Sequence, residues 1–139
     1  MKSTYLLLGL LLFVQLAYAQ NTLRVQVRPF SEPKGTAFIG LYNNATTFGK
    51  PEQVFLGKQV PVRTGQVECV FENVPNGTYA VAVFQDENGN QKLDKGMFGI
   101  PKEHYGFSNN VLPAMRQATF EEAQFTLTGQ PVSIQIKLK

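Results

Sequence analysis

Cysteine and histidine are almost missing from this chain: its 139 residues include one of each, Cys69 and His104. A single cysteine excludes an internal disulfide. A catalytic zinc wants three protein ligands from histidine, cysteine or carboxylate, and this sequence is poorly equipped to supply them. Charge of one sign is also scarce. The chain has 13 basic and 10 acidic residues, for a net charge of +3, and no basic block, which argues against nucleic acid as a partner. Neither a phosphate-cradling glycine-rich loop nor a dinucleotide fingerprint occurs. The one long apolar run, Tyr5 to Val14, is shorter than the roughly twenty residues of a membrane span. No second run follows it, so no integral membrane segment is expected beyond it.

That run sits in a context that explains it. Met1-Lys2 makes a basic start, and Ala17-Tyr18-Ala19 places small residues at the two positions a signal peptidase reads. Residues 1–19 are therefore expected to be a signal peptide, with cleavage after Ala19. Of the 139 residues, 120 would remain from Gln20 onward, enough for one domain with its own core. Removing Lys2 leaves 12 basic residues against 10 acidic ones. No cysteine follows the cleavage site to carry a lipid anchor. The expected location is exported, periplasmic or secreted.

What is abundant is alternation. Leu23, Val25 and Val27 alternate with polar neighbours, as do Val132, Ile134, Ile136 and Leu138, and Val67, Cys69 and Phe71. Period-2 alternation marks half-buried strands. Ile39 and Leu41 mark another strand between Thr36 and Tyr42. Thr78 to Phe84 is apolar on both faces and belongs in the middle of a sheet. Val74-Pro75-Asn76-Gly77 reads as a tight turn before it. Phe120 to Leu127 reads as a further strand, and Val54 to Leu56 as a marginal one. The best helix candidate, Leu112 to Gln124, is broken by Pro113 and lacks an i, i+3, i+4 stripe. About seven short strands with Gly, Pro and Asn turns predict an all-β fold, a single immunoglobulin- or prealbumin-like β-sandwich over residues 20–139. Cys69 is expected to act as a small buried hydrophobe.

Between Asp86 and Ala118 the strand pattern lapses. Long irregular stretches in compact domains tend to be functional or mobile, and this one holds most of the chemically interesting side chains. From Asp86 to Asp94, side-chain oxygens fall at relative positions 1, 3, 5 and 9: Asp86, Asn88, Asn90 and Asp94. This is the spacing of an EF-hand-type calcium loop, in which position 7, here Lys92, offers its carbonyl. Two positions depart from it: Gln91 replaces the glycine at position 6, and Met97 replaces the glutamate at position 12. Glu103 lies close enough in sequence to fold back and complete the shell. The expected affinity is weak, about 10⁻⁴ to 10⁻³ M. A metal-free reading stands beside it, because Asn88-Gly89 is a strong hairpin-turn signature.

The stretch that follows, Gly99 to Asn110, reads in two ways. Glu103, His104, Tyr105 and Ser108 could face a ligand. Alternatively, Phe98, Ile100, Tyr105 and Phe107 pin the loop to the sandwich while Asn109 and Asn110 cap backbone groups. A Ser–His–Asp set can be written from Ser108, His104 and either Asp86 or Asp94, but Ser108 lacks a nucleophile-elbow context. The leading expectation is a non-catalytic binding or interaction module. The alternative is an envelope hydrolase or transferase using Asp86, Glu103 or His104 on a sugar or peptide. A structural envelope protein assembling through sheet edges is a third possibility. Asn44-Ala45-Thr46 and Asn76-Gly77-Thr78 fit glycosylation acceptors, the second better explained as a turn.

The segments Phe71-Glu72-Asn73-Val74-Pro75-Asn76-Gly77-Thr78-Tyr79, Asp86-Glu87-Asn88-Gly89-Asn90, Gly99-Ile100-Pro101-Lys102-Glu103 and Tyr105-Gly106-Phe107-Ser108-Asn109 together resemble one family. It is DUF2141, small exported bacterial proteins grouped as a domain of unknown function. The resemblance spans essentially the whole chain after residue 19 and implies a bacterial, exported protein, without a defined activity. A fainter similarity runs to prealbumin-like, Cna-B-type surface modules, some of which hold calcium in a comparable loop.

Overall fold

A computed structural model describes residues 20–139; the expected signal peptide lies outside the described residues. Eight strands form two sheets packed face to face. The strands are β1 (Gln20–Arg28), β2 (Thr36–Tyr42), β3 (Leu56–Pro61), β4 (Val67–Pro75), β5 (Gly77–Asp86), β6 (Tyr105–Phe107), β7 (Phe125–Leu127) and β8 (Val132–Lys137), with one short helix, α1 (Phe120–Ala123). One sheet runs β4-β1-β8 and the other β3-β2-β5-β6, with β7 also pairing β5. β1 is antiparallel to β4 but parallel to β8, pairing Val25 with Cys69 on one side and Ile134 on the other. The chain is thus an all-β sandwich.

The alternation read from the sequence decides which faces meet. Leu23, Val25 and Val27 from β1, Ile39 and Leu41 from β2, Cys69 and Phe71 from β4, and Val81 and Val83 from β5 form one cluster between the sheets. Leu23, Val25, Ile39 and Leu41 are fully removed from water. Burial of this kind stabilises by about 1.5–3 kcal/mol per large side chain. Cys69 belongs to the cluster, and burial pushes its thiol up to about 11. It therefore holds its proton and packs as a small apolar group.

β5 is apolar on both faces because it is covered on both. On its outer side, Tyr42, Ala80, Phe107 and the rings of Phe48 and Phe120 form a second cluster. Phe48 meets Tyr42 edge-on at 5.5 Å between ring centroids and Phe120 at 5.9 Å. This second layer is supplied by the 48–54 and 111–123 segments rather than by a sheet.

Three expectations are corrected here. The marginal strand at Val54 to Leu56 is in fact β3, six residues starting at Leu56. As an edge strand its side chains are mostly exposed, so no alternation marks it. Phe120 to Leu127 is not one strand. Phe120–Ala123 is one helical turn, capped by Thr119, which accepts from the Glu122 N–H while the Glu122 carboxylate accepts from the Thr119 N–H. This reciprocal capping box wins over the strand-like phenylalanines, and only Phe125–Leu127 pairs with β5. Finally, the stretch from Asp86 to Ala118 is not without a strand: β6 pairs Ala82 with Phe107 and Phe84 with Tyr105.

Candidate functional site

β5 leaves the sheet at Asp86 and returns as β6 at Tyr105, and the intervening excursion is built on two buried carboxylates. Asp86 is 6% exposed and Glu103 is 7% exposed. One oxygen of Asp86 accepts from the Gly89 N–H at 2.9 Å and the other from the Gln91 N–H at 2.8 Å. Asn88 Oδ1 accepts from the Asn90 N–H at 3.1 Å, and Asn90 Oδ1 from the Lys92 N–H at 3.0 Å. These successive turns, each closed by an Asp or Asn side chain on backbone two to five residues ahead, are what that residue type does in loops. The side-chain amides of Asn88 and Asn90 then donate to the two oxygens of Asp94 at 2.5 and 2.6 Å.

Glu103 closes the excursion. Its carboxylate accepts from the Glu87 N–H at 3.0 Å and the Asp94 N–H at 3.1 Å. It thereby ties both ends of the acidic loop to the return strand. Glu103 thus folds back onto the loop backbone, whereas Met97, at the place of the missing glutamate, is 78% exposed. Gln91, standing where the loop pattern has glycine, takes the left-handed φ of 61° that glycine would supply. At the base, Gly35 is required: its φ is +68°, and a Cβ there would collide with the Asp86 carbonyl oxygen.

As a chemical set, Asp86, Asn88, Asn90, Asp94, Glu103 and the Lys92 carbonyl are hard oxygen donors of the kind calcium takes. Among the described residues, no group of three or more His, Cys, Asp or Glu side chains is arranged to hold a metal ion. The loop's oxygens are instead a mixture of carboxylate and carboxamide, held by backbone N–H groups and by one another.

The Ser–His–Asp set written from the sequence is not assembled. Ser108 is 1% exposed, and its hydroxyl donates to the Ala123 carbonyl at 2.5 Å while accepting from the Val81 N–H at 2.9 Å. It stitches β5 to α1. His104 Nε2 lies 3.3 Å from Ser31 Oγ, not beside Ser108. Among the described residues its Nδ1 has no hydrogen-bond partner, and it lies 3.7 Å from Glu87, which also pairs with Lys34 at 3.0 Å. Hydrogen bonds first to Glu32 and then to Glu87 raise the Lys34 ammonium above its ordinary value. Glu103 and His104 do share one open depression of about 460 Å³, which Asp86 does not line.

Asn109 and Asn110 behave as capping residues. Asn109 donates to the Glu122 and Gln124 carbonyls, and Asn110 exchanges hydrogen bonds with Gln135 and Lys137. Tyr105 and Phe107 pack into the outer cluster. The expectation that Phe98 and Ile100 also pin the loop is corrected: they are 94% and 64% exposed. A short ladder explains it. The Lys102 N–H donates to the Asp94 carbonyl at 2.8 Å and the Gly96 N–H to the Ile100 carbonyl at 2.7 Å, with a bridge between Lys95 and Pro101. Residues 94–102 therefore project as a finger with Met97 to Ile100 at its tip. Sequence reasoning missed this tip. Its one local signal was an apolar pair set between Gly96 and Gly99.

Comparison with protein-family models matches residues 25–135 to the family described as an uncharacterized protein conserved in bacteria (DUF2141). The chain belongs to the DUF2141 family. Comparison with curated proteins returns no match, and comparison with solved structures returns none either. Among the described residues, no helix is long and apolar enough to cross a membrane.

Proposed function

We propose that this DUF2141 protein is an exported, non-catalytic binding module, periplasmic or secreted, whose recognition surface is the β5–β6 excursion, stiffened by calcium. What carries the reading is the contrast within that excursion. Its base is fixed by Asp86 and Glu103, each with both oxygens committed to backbone N–H groups, while its tip turns large apolar side chains to water. A rigid scaffold presenting a variable loop is how binding proteins commonly work. The leader-like residues 1–19 support export. The left-handed Gln91 and the fold-back of Glu103 support the cation, which would sit among Asp86, Asn88, Asn90, Asp94, Glu103 and the Lys92 carbonyl.

A ligand bound only by the folded state raises its melting temperature. Thermal melts of the chain from Gln20, with millimolar calcium or with chelator, are expected to separate by several degrees, and Asp94→Ala is expected to abolish the separation. Superimposed melts would remove calcium from the account. The second reading, an envelope hydrolase or transferase, is favoured only by Glu103 and His104 sharing one depression. Its test is whether His104→Ala abolishes hydrolysis of envelope sugars or peptides by the wild-type chain.

A further inference from the structure

We propose that the finger at residues 94–102 is a membrane-docking device, which seats its apolar tip in the surface of an anionic lipid bilayer. The inference rests on reading the excursion as the working surface, and it does not need the calcium. Met97, Phe98 and Ile100 are 78%, 94% and 64% exposed, and Met115, on the neighbouring segment, is 96% exposed. Phe98, Ile100 and Met115 line the same open depression, so these side chains form one patch rather than scattered surface residues. A contiguous exposed apolar patch marks an interaction site.

The patch is also built. Phe98 holds a left-handed backbone, φ 61° and ψ 20°, followed by Gly99 at φ 70°. A non-glycine residue held there stores strain, which persists only where its surroundings impose it and tends to mark functional positions. Here the ladder from Asp94 to Lys102 imposes it, and the consequence is an aromatic ring aimed into solvent.

Charge points to the occupant. Lys95 and Lys102 line the depression with the apolar side chains, and both are exposed. The nearby acidic residues are already occupied: Glu103 lines the depression but is only 7% exposed, with both oxygens held by backbone N–H groups, and Asp94 accepts from Asn88 and Asn90. An apolar tip with a lysine collar matches the boundary between acyl chains and anionic headgroups, where apolar groups enter about 5–10 Å and each nearby lysine adds attraction. A stable protein interface wants about 800 Å² from each partner, and four side chains alone fall short of that.

The chain contains no tryptophan, so Phe98→Trp places a single reporter at the tip. The chain from Gln20 carries both sheets and both clusters, and suits the measurement. With vesicles of phosphatidylcholine and phosphatidylglycerol at low salt, the indole emission of the Phe98→Trp variant is expected to shift to the blue and to resist an aqueous quencher. Phosphatidylcholine alone should give a smaller shift, and added salt should reverse it. In co-sedimentation, Phe98→Ser should lower binding by roughly tenfold or more, and Lys95→Glu with Lys102→Glu by on the order of tenfold. Thermal melts should be unchanged, since these side chains are exposed. The proposal is overturned if anionic vesicles leave the emission unchanged or if Phe98→Ser binds them as well as wild type. A blue shift that grows with protein concentration without lipid also overturns it, by showing that a second copy covers the tip. Should vesicles have no effect while calcium still raises the melting temperature, the docking proposal falls and the binding-loop reading stands.

Discussion

Ile39 and Ile100 are the same residue in opposite circumstances, and so are Phe107 and Phe98. Ile39 and Phe107 are 0% and 4% exposed, whereas Ile100 and Phe98 are 64% and 94% exposed. The first pair lies on strands that place every second side chain against a covered face. The second lies on a finger whose form is set by hydrogen bonds before any apolar contact is made. The sandwich is ordered by burying apolar surface. The excursion is ordered by Asp86, Asn88, Asn90, Asp94 and Glu103 reaching backbone N–H groups, or one another. Two ways of ordering a chain thus sit on one strand, β5, whose Val81 and Val83 serve the core and whose Asp86 begins the excursion.

The contrast has consequences that substitution can break. Ile39→Ala empties space in the inter-sheet cluster and is expected to destabilise by about 3 kcal/mol, read by urea unfolding. A loss under about 1 kcal/mol would mean that the sheets are loosely packed. Glu103→Ala strands two N–H groups, of Glu87 and Asp94, and is expected to destabilise by about 2 kcal/mol, with Glu103→Gln intermediate because its amide keeps one acceptor oxygen. If Glu103→Ala unfolds like wild type, the excursion is not fixed by that side chain.

Smaller effects belong to the outer layer. Thr119→Ala removes the helix cap and should cost about 1 kcal/mol in the same assay. Glu122 is held down to about 2, chiefly by hydrogen bonding to the Arg116 guanidinium and next by the Thr119 N–H. A carboxylate whose pKa is depressed on folding stabilises fully above its ordinary value of 4.5, and that contribution fades as pH falls through about 2. Melts of Glu122→Gln should therefore lie slightly below wild type at neutral pH and converge with it in strong acid. Arg116 is exposed and Glu122 is about a third exposed, so water and salt reach the pair and the gap should also narrow in high salt. The smallest effect is at the tip, where Phe98→Ser should change stability by less than about 0.5 kcal/mol. A larger loss would show that Phe98 packs against the fold.

The sandwich was legible because burial writes itself into a strand as alternation, in β1, β4 and β8, or as a two-faced apolar run, in β5. β3 escaped because an edge strand needs only backbone pairing with β2. α1 escaped because two phenylalanines suggested a strand, although Thr119-Phe120-Glu121-Glu122 carries the capping-box spacing that could have identified it. In the excursion, the oxygen spacing of Asp86 to Asp94 and the return of Glu103 were readable, because short polar side chains bond to nearby backbone. The outward aim of Phe98 and Ile100 was not. Apolar residues beside aromatic ones suggest packing, and only the ladder between Asp94 and Lys102 reverses that.

The claim beneath all of this is that the β5–β6 excursion is a fixed platform rather than slack chain. Amide hydrogen exchange measures it directly, at the Glu87, Gly89, Gln91 and Asp94 N–H groups that Asp86 and Glu103 hold. Protection at these four amides approaching that of β5 is the predicted result, and exchange at the rate of an unstructured peptide would contradict it.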